Sequence, residues 1–258
     1  MKVVGTVAEL REALEPSRRD GASIGLVPTM GAFHDGHLSL FRAAREECDV
    51  VVVSLFVNPA QFGAGSDLAG YPIDLGADTA RAEAAGIDVR FAPSVDEIYP
   101  PGFQTWVEVE KLGRRLEGEH RPGHFRGVAT VCLKLFNIVR PQRAYFGQKD
   151  AQQVAVVRRL IRDLELELSL RILPTVRDAD GLALSSRNAQ LSPEERERAL
   201  ALPRALATRD VDAARAALAG LDVDYVELLE LDPPVLAAAV RVGSTRLIDN
   251  VVLDKEKP

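Results

Sequence analysis

The sequence contains very little cysteine and histidine. Its two cysteines, Cys48 and Cys132, lack C-x-x-C spacing and lie within apolar helical patterns. This excludes a disulfide framework and a C-x-x-C motif, and it favours buried thiols in a reducing compartment. The four histidines are confined to two short segments, 31–40 and 117–127. A structural role would scatter them along the chain, so we expect them to belong to a polar site.

Long apolar runs and an excess of positive charge are also missing. The longest apolar stretch, VVVSLFV at 51–57, is far too short to cross a bilayer, and no apolar signal-peptide core follows the first residues. We therefore expect a cytoplasmic protein with no membrane partner. The net charge is −6, which argues against a sequence-independent binder of nucleic acid, although local basic clusters remain able to bind a small anion.

What the sequence does contain is an alternation of apolar runs and amphipathic helical patterns. Residues 23–29, 49–59 and 87–93 predict buried strands, and 37–48 and 74–86 predict the helices beside them. This order is typical of a parallel sheet covered by helices. The same reasoning predicts strands at 104–110, 143–148 and from 165, and helices at 127–139 and 151–164.

The pattern changes character near residue 175. Ser192, Pro193 and Glu195 form a capping-box signature that opens a predicted helix over 192–208. A second helix at 211–220 and strands at 223–231 and 244–253 are predicted to follow. We predict an α/β protein with a doubly wound parallel-sheet domain over 1–175 and a smaller α+β domain over 176–258.

The first candidate site is H-x-G-H, formed by His34, Gly36 and His37. It lies where a predicted strand gives way to a helix, so free backbone N–H groups and the helix dipole favour an anion there. Two imidazoles can donate hydrogen bonds to phosphate oxygens, and Gly36 lets a ligand approach the backbone. A shared metal ion and two surface histidines that cap a helix are the alternatives.

Other polar residues follow the neighbouring predicted strands. Asn58 and Gln61 can hydrogen-bond a small polar ligand, although their segment taken alone reads as a Gly-rich surface loop. Lys149 suits phosphate, and Asp150 can cap the helix that carries Gln153. Taken alone, a solvated lysine and a capping aspartate explain that segment more simply.

A further polar segment, DGLALSSRN at 180–188, offers hydroxyl groups and a guanidinium suited to clamp a triphosphate. An ordinary loop before a helix is the alternative. The sequence has no G-x-S-x-G, Walker A or G-x-G-x-x-G motif, which excludes P-loop and dinucleotide-binding hypotheses.

Five segments together closely resemble the motifs of the pantothenate synthetase (pantoate–β-alanine ligase) family, in the same order and at similar spacing. They are PTMGAFHDGH (28–37), NPAQFG (58–63), RPGHFRGVATVCLKLFNIVRP (121–141), FGQKDAQQ (146–153) and LALSSRN (182–188). The resemblance spans about residues 23–190. It implies a Rossmann-like domain with a small C-terminal lid, in the nucleotidylyltransferase superfamily, and a homodimer.

The resemblance also implies a reaction and its residues. ATP would activate pantoate as pantoyl adenylate with loss of pyrophosphate, and β-alanine would then displace AMP to give pantothenate. His37, His34 and Lys149 would be catalytic, with His37 as proton donor. The residues implied for ATP are Met30, Gly31, His34, Gly36, His37, Gly147, Lys149, Asp150, Val176 through its backbone, Leu184, Ser185, Ser186 and Arg187. Those implied for pantoate or β-alanine are Met30, Asn58, Gln61 and Gln153.

The chain departs from the family pattern at two places. Ile73 stands where an arginine is common, and Ala77 replaces the first member of a frequent acidic pair, which leaves Asp78. The resemblance implies Mg²⁺ with ATP, and Asp78 is its predicted protein contact, directly or through water. Most of the metal's ligands would be ATP oxygens and water.

Two rival functions stay open at this point. An adenylyltransferase acting on a phosphorylated substrate would need additional arginine or lysine for the second phosphate. A metal-dependent hydrolase would use His34, His37, His120 and His124 as ligands.

Overall fold

The computed structural model describes residues 1–63 and 74–253. Its described residues fall into two compact units. Unit 1 contains 1–63, 74–146 and 156–173, and unit 2 contains 147–155 and 174–253. The sequence pattern places 147–155 in the first domain, whereas here these residues group with unit 2. Within unit 2, the Asn250 side chain donates to the carbonyl oxygens of Gln148 and Lys149, at 3.0 and 2.8 Å.

Unit 1 is built on a six-stranded sheet with the order β1-β4-β3-β2-β5-β6. The strands are β1 (Lys2–Val4), β2 (Ile24–Thr29), β3 (Val50–Leu55), β4 (Val89–Phe91), β5 (Arg143–Gly147) and β6 (Ser169–Leu173). The pairs β1–β4, β4–β3, β3–β2 and β2–β5 are parallel. Val51, Val52 and Val53 are fully buried, as expected for a parallel strand covered on both faces.

Helices connect these strands. They are α1 (Val7–Arg19), α2 (Asp35–Glu47), α3 (Leu75–Ala84), α4 (Val95–Ile98), α5 (Glu117–His120), α6 (His124–Val139) and α7 (Ala151–Asp163). The first residues of α7, up to Ala155, group with unit 2. Helix α2 buries Leu40, Phe41 and Ala44 in the core that also contains Val27 of β2. This packing sets the position of the helix whose N-terminus carries H-x-G-H.

Unit 2 has an antiparallel sheet of β7 (Asp222–Leu229), β8 (Val235–Val242) and β9 (Thr245–Val252). Helices α8 (Pro193–Ala199), α9 (Ala201–Leu206) and α10 (Val211–Ala217) belong to the same unit. The core includes Leu202 of α9 and Leu236 of β8, both almost completely buried. The predicted fold class is confirmed, with a larger parallel-sheet part and a smaller α+β part.

Two predictions of secondary structure were wrong. No strand forms at 104–110, where the Thr130 hydroxyl accepts the Val107 N–H at 3.0 Å, so helix α6 contacts the segment. The predicted helix over 192–208 is two helices, because Pro203 has no N–H to donate to Ala199. Within the described residues, no helix is both long enough and apolar enough to span a membrane.

Candidate active site

The loop between β2 and α2 has an unusual backbone. Gly31 has φ +91° and Ala32 has φ +54°, so two successive residues have positive φ, where glycine is favoured. The Asp78 carboxylate of α3 accepts the backbone N–H of Ala32 at 2.8 Å and of Phe33 at 2.7 Å. Asp78 is only 2 % exposed. The loop that leads into H-x-G-H is therefore held by a buried carboxylate from another helix.

His34 and His37 cap the helix that follows. The Nδ1 atom of His34 accepts the Gly36 N–H at 3.2 Å, and Nδ1 of His37 accepts the His34 N–H at 3.3 Å. The ring centroids are 4.2 Å apart. Because each Nδ1 accepts a hydrogen bond, the proton of each neutral ring is on Nε2. Each Nε2–H is therefore a donor at a helix N-terminus, an arrangement that suits phosphate binding. The capping alternative is thus compatible with the phosphate-binding hypothesis.

Gln61 and Asn58 form a second polar group in unit 1. Asn58 donates from Nδ2 to Oε1 of Gln61 at 3.0 Å, and Gln61 donates from Nε2 to the sulfur of Met30 at 3.1 Å. The Tyr99 hydroxyl donates to Oδ1 of Asn58 at 2.9 Å. Burial raises the pKa of Tyr99, so it stays a donor at neutral pH. The structure thus brings together Met30, Asn58 and Gln61, which the family resemblance implies for the substrates.

His124 holds Gln61 through its backbone. Its Nδ1 lies 2.9 Å from the Gln61 carbonyl oxygen, and its Nε2 lies 3.4 Å from a guanidinium nitrogen of Arg121. A Cβ atom at Gly127 would lie 2.3 Å from the carbonyl oxygen of Ala60, so only glycine lets α6 approach this turn so closely. His120 is exposed at the end of α5.

Unit 2 contains a small surface cleft. Its lining residues are Lys149, Leu182, Ala183, Ser185, Arg187, Asn188, Leu202, Arg246, Leu247, Ile248 and Asp249. Three residues predicted to bind ATP, namely Lys149, Ser185 and Arg187, therefore lie around one cleft. Ser185 also caps the 3₁₀ turn Ser186–Gln190 by accepting the Arg187 N–H at 3.3 Å.

Other residues of unit 2 that were predicted to bind ATP or pantoate do not line this cleft, although they are close along the chain to residues that do. Leu184 donates its N–H to the Val176 carbonyl at 3.0 Å, so these two backbones are paired. Gly147 precedes the 3₁₀ turn Gln148–Asp150, and Gln153 is half-buried on α7.

The sequence assigned no role in ATP or substrate binding to Tyr99, His124 or Arg246, which the structure places in these two groups. Tyr99 lies in a Pro/Gly-rich segment that predicts only a turn, and no sequence signal links it to Asn58. His124 belongs to a histidine-bearing segment, but nothing in the sequence links it to Gln61. Arg246 lies on β9 and contacts Asp224, and its place in the cleft depends on the strand pairing. Ile73 lies outside the described residues.

The hydrogen-bond partners of Asp78 can be compared with its predicted role as a magnesium contact. Both oxygens of Asp78 already accept backbone N–H groups. Within 1–63 and 74–253, no group of three or more His, Cys, Asp or Glu side chains could hold a metal ion. These residues do not make up a protein-built magnesium site, and they do not make up the zinc centre of the rival hydrolase.

Comparisons with known proteins agree on one family. A family model described as pantoate–beta-alanine ligase matches residues 2–252. The pantothenate synthetase of Heliobacterium modesticaldum is 51% identical over 280 residues, which cover 98% of this chain and 100% of that protein. A crystal structure of pantothenate synthetase from Thermus thermophilus has a TM-score of 0.91 and 46% identity, covering 98% of this chain and 99% of that one. A pantoate–beta-alanine ligase from Francisella tularensis, complexed with beta-gamma ATP and beta-alanine, has a TM-score of 0.86 and 35% identity, covering 98% and 97%.

Proposed function

The chain belongs to the pantoate–beta-alanine ligase family, and on that premise we propose how its own residues carry out the reaction. The enzyme joins (R)-pantoate to β-alanine, consumes ATP, and releases AMP and pyrophosphate. The observation that carries the residue assignment is the pair of imidazoles at the N-terminus of α2, whose Nδ1 atoms both accept backbone N–H groups and so leave Nε2 as the donor. Such donors suit an anion that gains charge during the reaction.

The first step needs no general base. An oxygen of the ionised pantoate carboxylate attacks the α-phosphorus of ATP, the bond to the bridging oxygen breaks, and pyrophosphate leaves. Nε2–H groups of His34 and His37 would donate to the phosphate oxygens, and His37 is the proposed proton donor. Catalysis of this kind depends on positioning and on stabilising charge.

The second step displaces AMP. The β-alanine amine attacks the acyl carbon of pantoyl adenylate, loses a proton, and the bond to the adenylate oxygen breaks. Gln61 and Asn58 are proposed to hold the polar groups of pantoate, with Met30 beside them and with Gln61 also near β-alanine. The hydrogen bonds among these three side chains support this, because a pre-ordered amide loses little freedom when it binds.

Unit 2 is proposed to bind ATP through the cleft described above. Lys149 and Arg187 supply positive charge and Ser185 supplies a hydroxyl, which together suit a triphosphate. Gly147, Asp150, Val176, Leu184 and Ser186 are proposed to contact ATP, and Gln153 to contact pantoate. Gly31 and Gly36 are proposed to let ATP approach the backbone in unit 1.

Magnesium, homodimer formation and location are further proposals. Magnesium bound with ATP would offset the charge of the triphosphate, and ATP oxygens and water would supply most of its ligands. Family membership supports a homodimer, which light scattering on the purified protein would measure. The free, buried Cys48 and Cys132 support a reducing compartment such as the cytoplasm.

One assay separates this function from its rivals. The protein is incubated with ATP, Mg²⁺ and pantoate, with and without β-alanine, and pyrophosphate, AMP and pantothenate are followed. We expect pyrophosphate to form even without β-alanine. AMP and pantothenate should form only when β-alanine is present. Absence of AMP from the full mixture would overturn the proposal. Bound zinc in the purified protein, together with hydrolysis that needs no ATP, would support the hydrolase instead.

A further inference from the structure

The carboxylate of Asp78 bridges two successive amides of another element. Oδ2 accepts the Ala32 N–H at 2.8 Å and Oδ1 accepts the Phe33 N–H at 2.7 Å. The side chain comes from α3 and is 2 % exposed. A buried carboxylate is costly unless hydrogen bonds satisfy both its oxygens, and these two amides do so. The contact is thus built into the fold of unit 1.

The loop needs such a contact. Ala32 has φ +54°, a conformation that non-glycine residues rarely adopt and that persists only where surrounding contacts enforce it. The neighbouring Gly31 leaves room for the carboxylate, since a Cβ there would lie 2.9 Å from Oδ2 of Asp78. Arg81, one turn along α3, donates to the Phe33 carbonyl. Asp78 and Arg81 therefore hold Phe33 by both its N–H and its C=O.

This arrangement does not fit a magnesium ligand. Mg²⁺ needs near-octahedral oxygen ligands at about 2.0–2.1 Å. The positive ends of two N–H dipoles point at the carboxylate, where they oppose a cation. In the part of the chain that the structure describes, Asp78 belongs to no metal-binding group of three or more His, Cys, Asp or Glu side chains.

We propose that Asp78 is a positioning residue, which fixes the loop 31–33 so that His34 caps α2 and presents its Nε2–H as a donor to phosphate. Only the effect on catalysis rests on the proposed function; the holding of the loop by Asp78 does not. His34 follows Phe33 directly, so a shift of the two held amides moves the capping imidazole. Misplacement by about 1 Å can cost a rate about a hundredfold.

The first test needs neither activity nor a variant. Amide hydrogen exchange of Ala32 and Phe33 is measured in the whole protein, with and without Mg²⁺ alone. We expect strong protection of both amides that Mg²⁺ does not change. Fast exchange, or exchange that changes when Mg²⁺ is added, would overturn the proposal. Because amide exchange does not depend on turnover, this test of the loop contact remains valid even if the ligase assay shows no activity.

The second test uses Asp78→Asn with Asp74→Asn as its matched control. Both remove one negative charge at α3, and Asn at position 74 still caps the helix as Asp74 does. We expect Asp78→Asn to slow pyrophosphate formation about a hundredfold, with the Mg²⁺ concentration for half-maximal rate unchanged. Asp74→Asn should match wild type. A rate restored by excess Mg²⁺, or an unchanged rate, contradicts the positioning role. If Asp78→Asn does not fold, the exchange measurement on wild type decides.

Discussion

The Nδ1 atom of His124 lies 2.9 Å from the backbone carbonyl oxygen of Gln61, and both residues are buried. A carbonyl oxygen only accepts, so Nδ1 must carry the proton. Nε2 then faces Arg121, whose guanidinium donates to it at 3.4 Å. His124 therefore has the tautomer opposite to that of His34 and His37. It positions a proposed pantoate-binding residue, whereas the other two are proposed to contact phosphate.

Replacement of His124 should weaken pantoate binding. His124→Ala leaves the buried Gln61 carbonyl without its donor, at a cost to the fold of about 1–3 kcal/mol. The turn relaxes to recover this free energy, and restoring its geometry on binding lowers pantoate affinity by up to that amount, or up to about 150-fold. We expect KM for pantoate to rise within this range, with a smaller change in KM for ATP. Steady-state kinetics with each substrate varied in turn would measure it.

Two further variants control this experiment. His124→Asn restores a donor close to the position of Nδ1 and should recover most of the affinity. His120→Ala alters the exposed histidine of the same segment and should behave as wild type. An equal rise in KM for both substrates would mean that His124 serves the fold in general and not Gln61.

Removal of the His37 imidazole should slow adenylation. Loss of one donor to a developing charge typically costs about 10²–10³ in rate, and we expect this from His37→Ala in rapid-quench measurements of pyrophosphate. The fold should persist, because His34 still caps α2 and the lost hydrogen bond is worth about 1 kcal/mol. Turnover at the wild-type rate would remove His37 from the mechanism.

Gly127→Ala should destabilise unit 1. The new Cβ would meet backbone atoms of Ala60 and Gln61 at 2.3 to 2.6 Å, so α6 or the turn must move. Overpacking of this kind costs about 1–3 kcal/mol. Gly76→Ala is the matched control, since a Cβ on α3 meets only the Asp74 side chain at 3.5 Å. Denaturant unfolding should show a loss for the first variant and none for the second; equal stability of the two would refute the close-approach argument.

Cys132 should make stability depend on alkaline pH. Burial raises the pKa of its thiol from 9.0 to about 12. Above pH 9.0 the thiol ionises in the unfolded chain but not in the folded one, so this group's contribution to the free energy of unfolding falls as pH rises. Each further pH unit between the two pKa values removes about 1.4 kcal/mol.

The comparison that isolates this effect is with Cys132→Ala. The difference in unfolding free energy between the two proteins should be constant near neutral pH, where it reports packing alone. It should then shift in favour of the variant as pH rises above 9.0. A difference that stays constant throughout would show that the folded thiol titrates normally.

The sequence predicted most of the larger elements but not those without a distinctive pattern. The β-branched run at 49–59 predicted β3, because a strand buried on both faces needs apolar side chains at every position. Strand β8 escaped prediction since Ala237, Ala238 and Ala239 at its centre do not favour a strand. The alternation at 104–110 predicted a strand wrongly, because alternation reports burial on one side and not a partner strand.

For the candidate site, the sequence named residues but not the contacts that hold them. Lys149, Ser185 and Arg187 were proposed from residue type and motif, and they do line one cleft. Asp78 was predicted to contact magnesium because the family resemblance implies an acidic pair at this place, of which Asp78 remains. Its actual partners are amides of the loop before His34, which no side-chain pattern reveals.

The sequence by itself determined the α/β class, the family, and the polar residues that follow the apolar strands, because periodicity and ordered motifs are local properties. Only the tertiary structure decided which polar atoms meet. His124 and Gln61 are 63 residues apart, and Asp78 and Ala32 are 46 apart. Hydrogen bonds over such separations arise when packed helices and strands bring backbone groups beside side chains, and a backbone N–H or C=O is the same at almost every residue. The sequence therefore carries no mark of which one a buried side chain will bind.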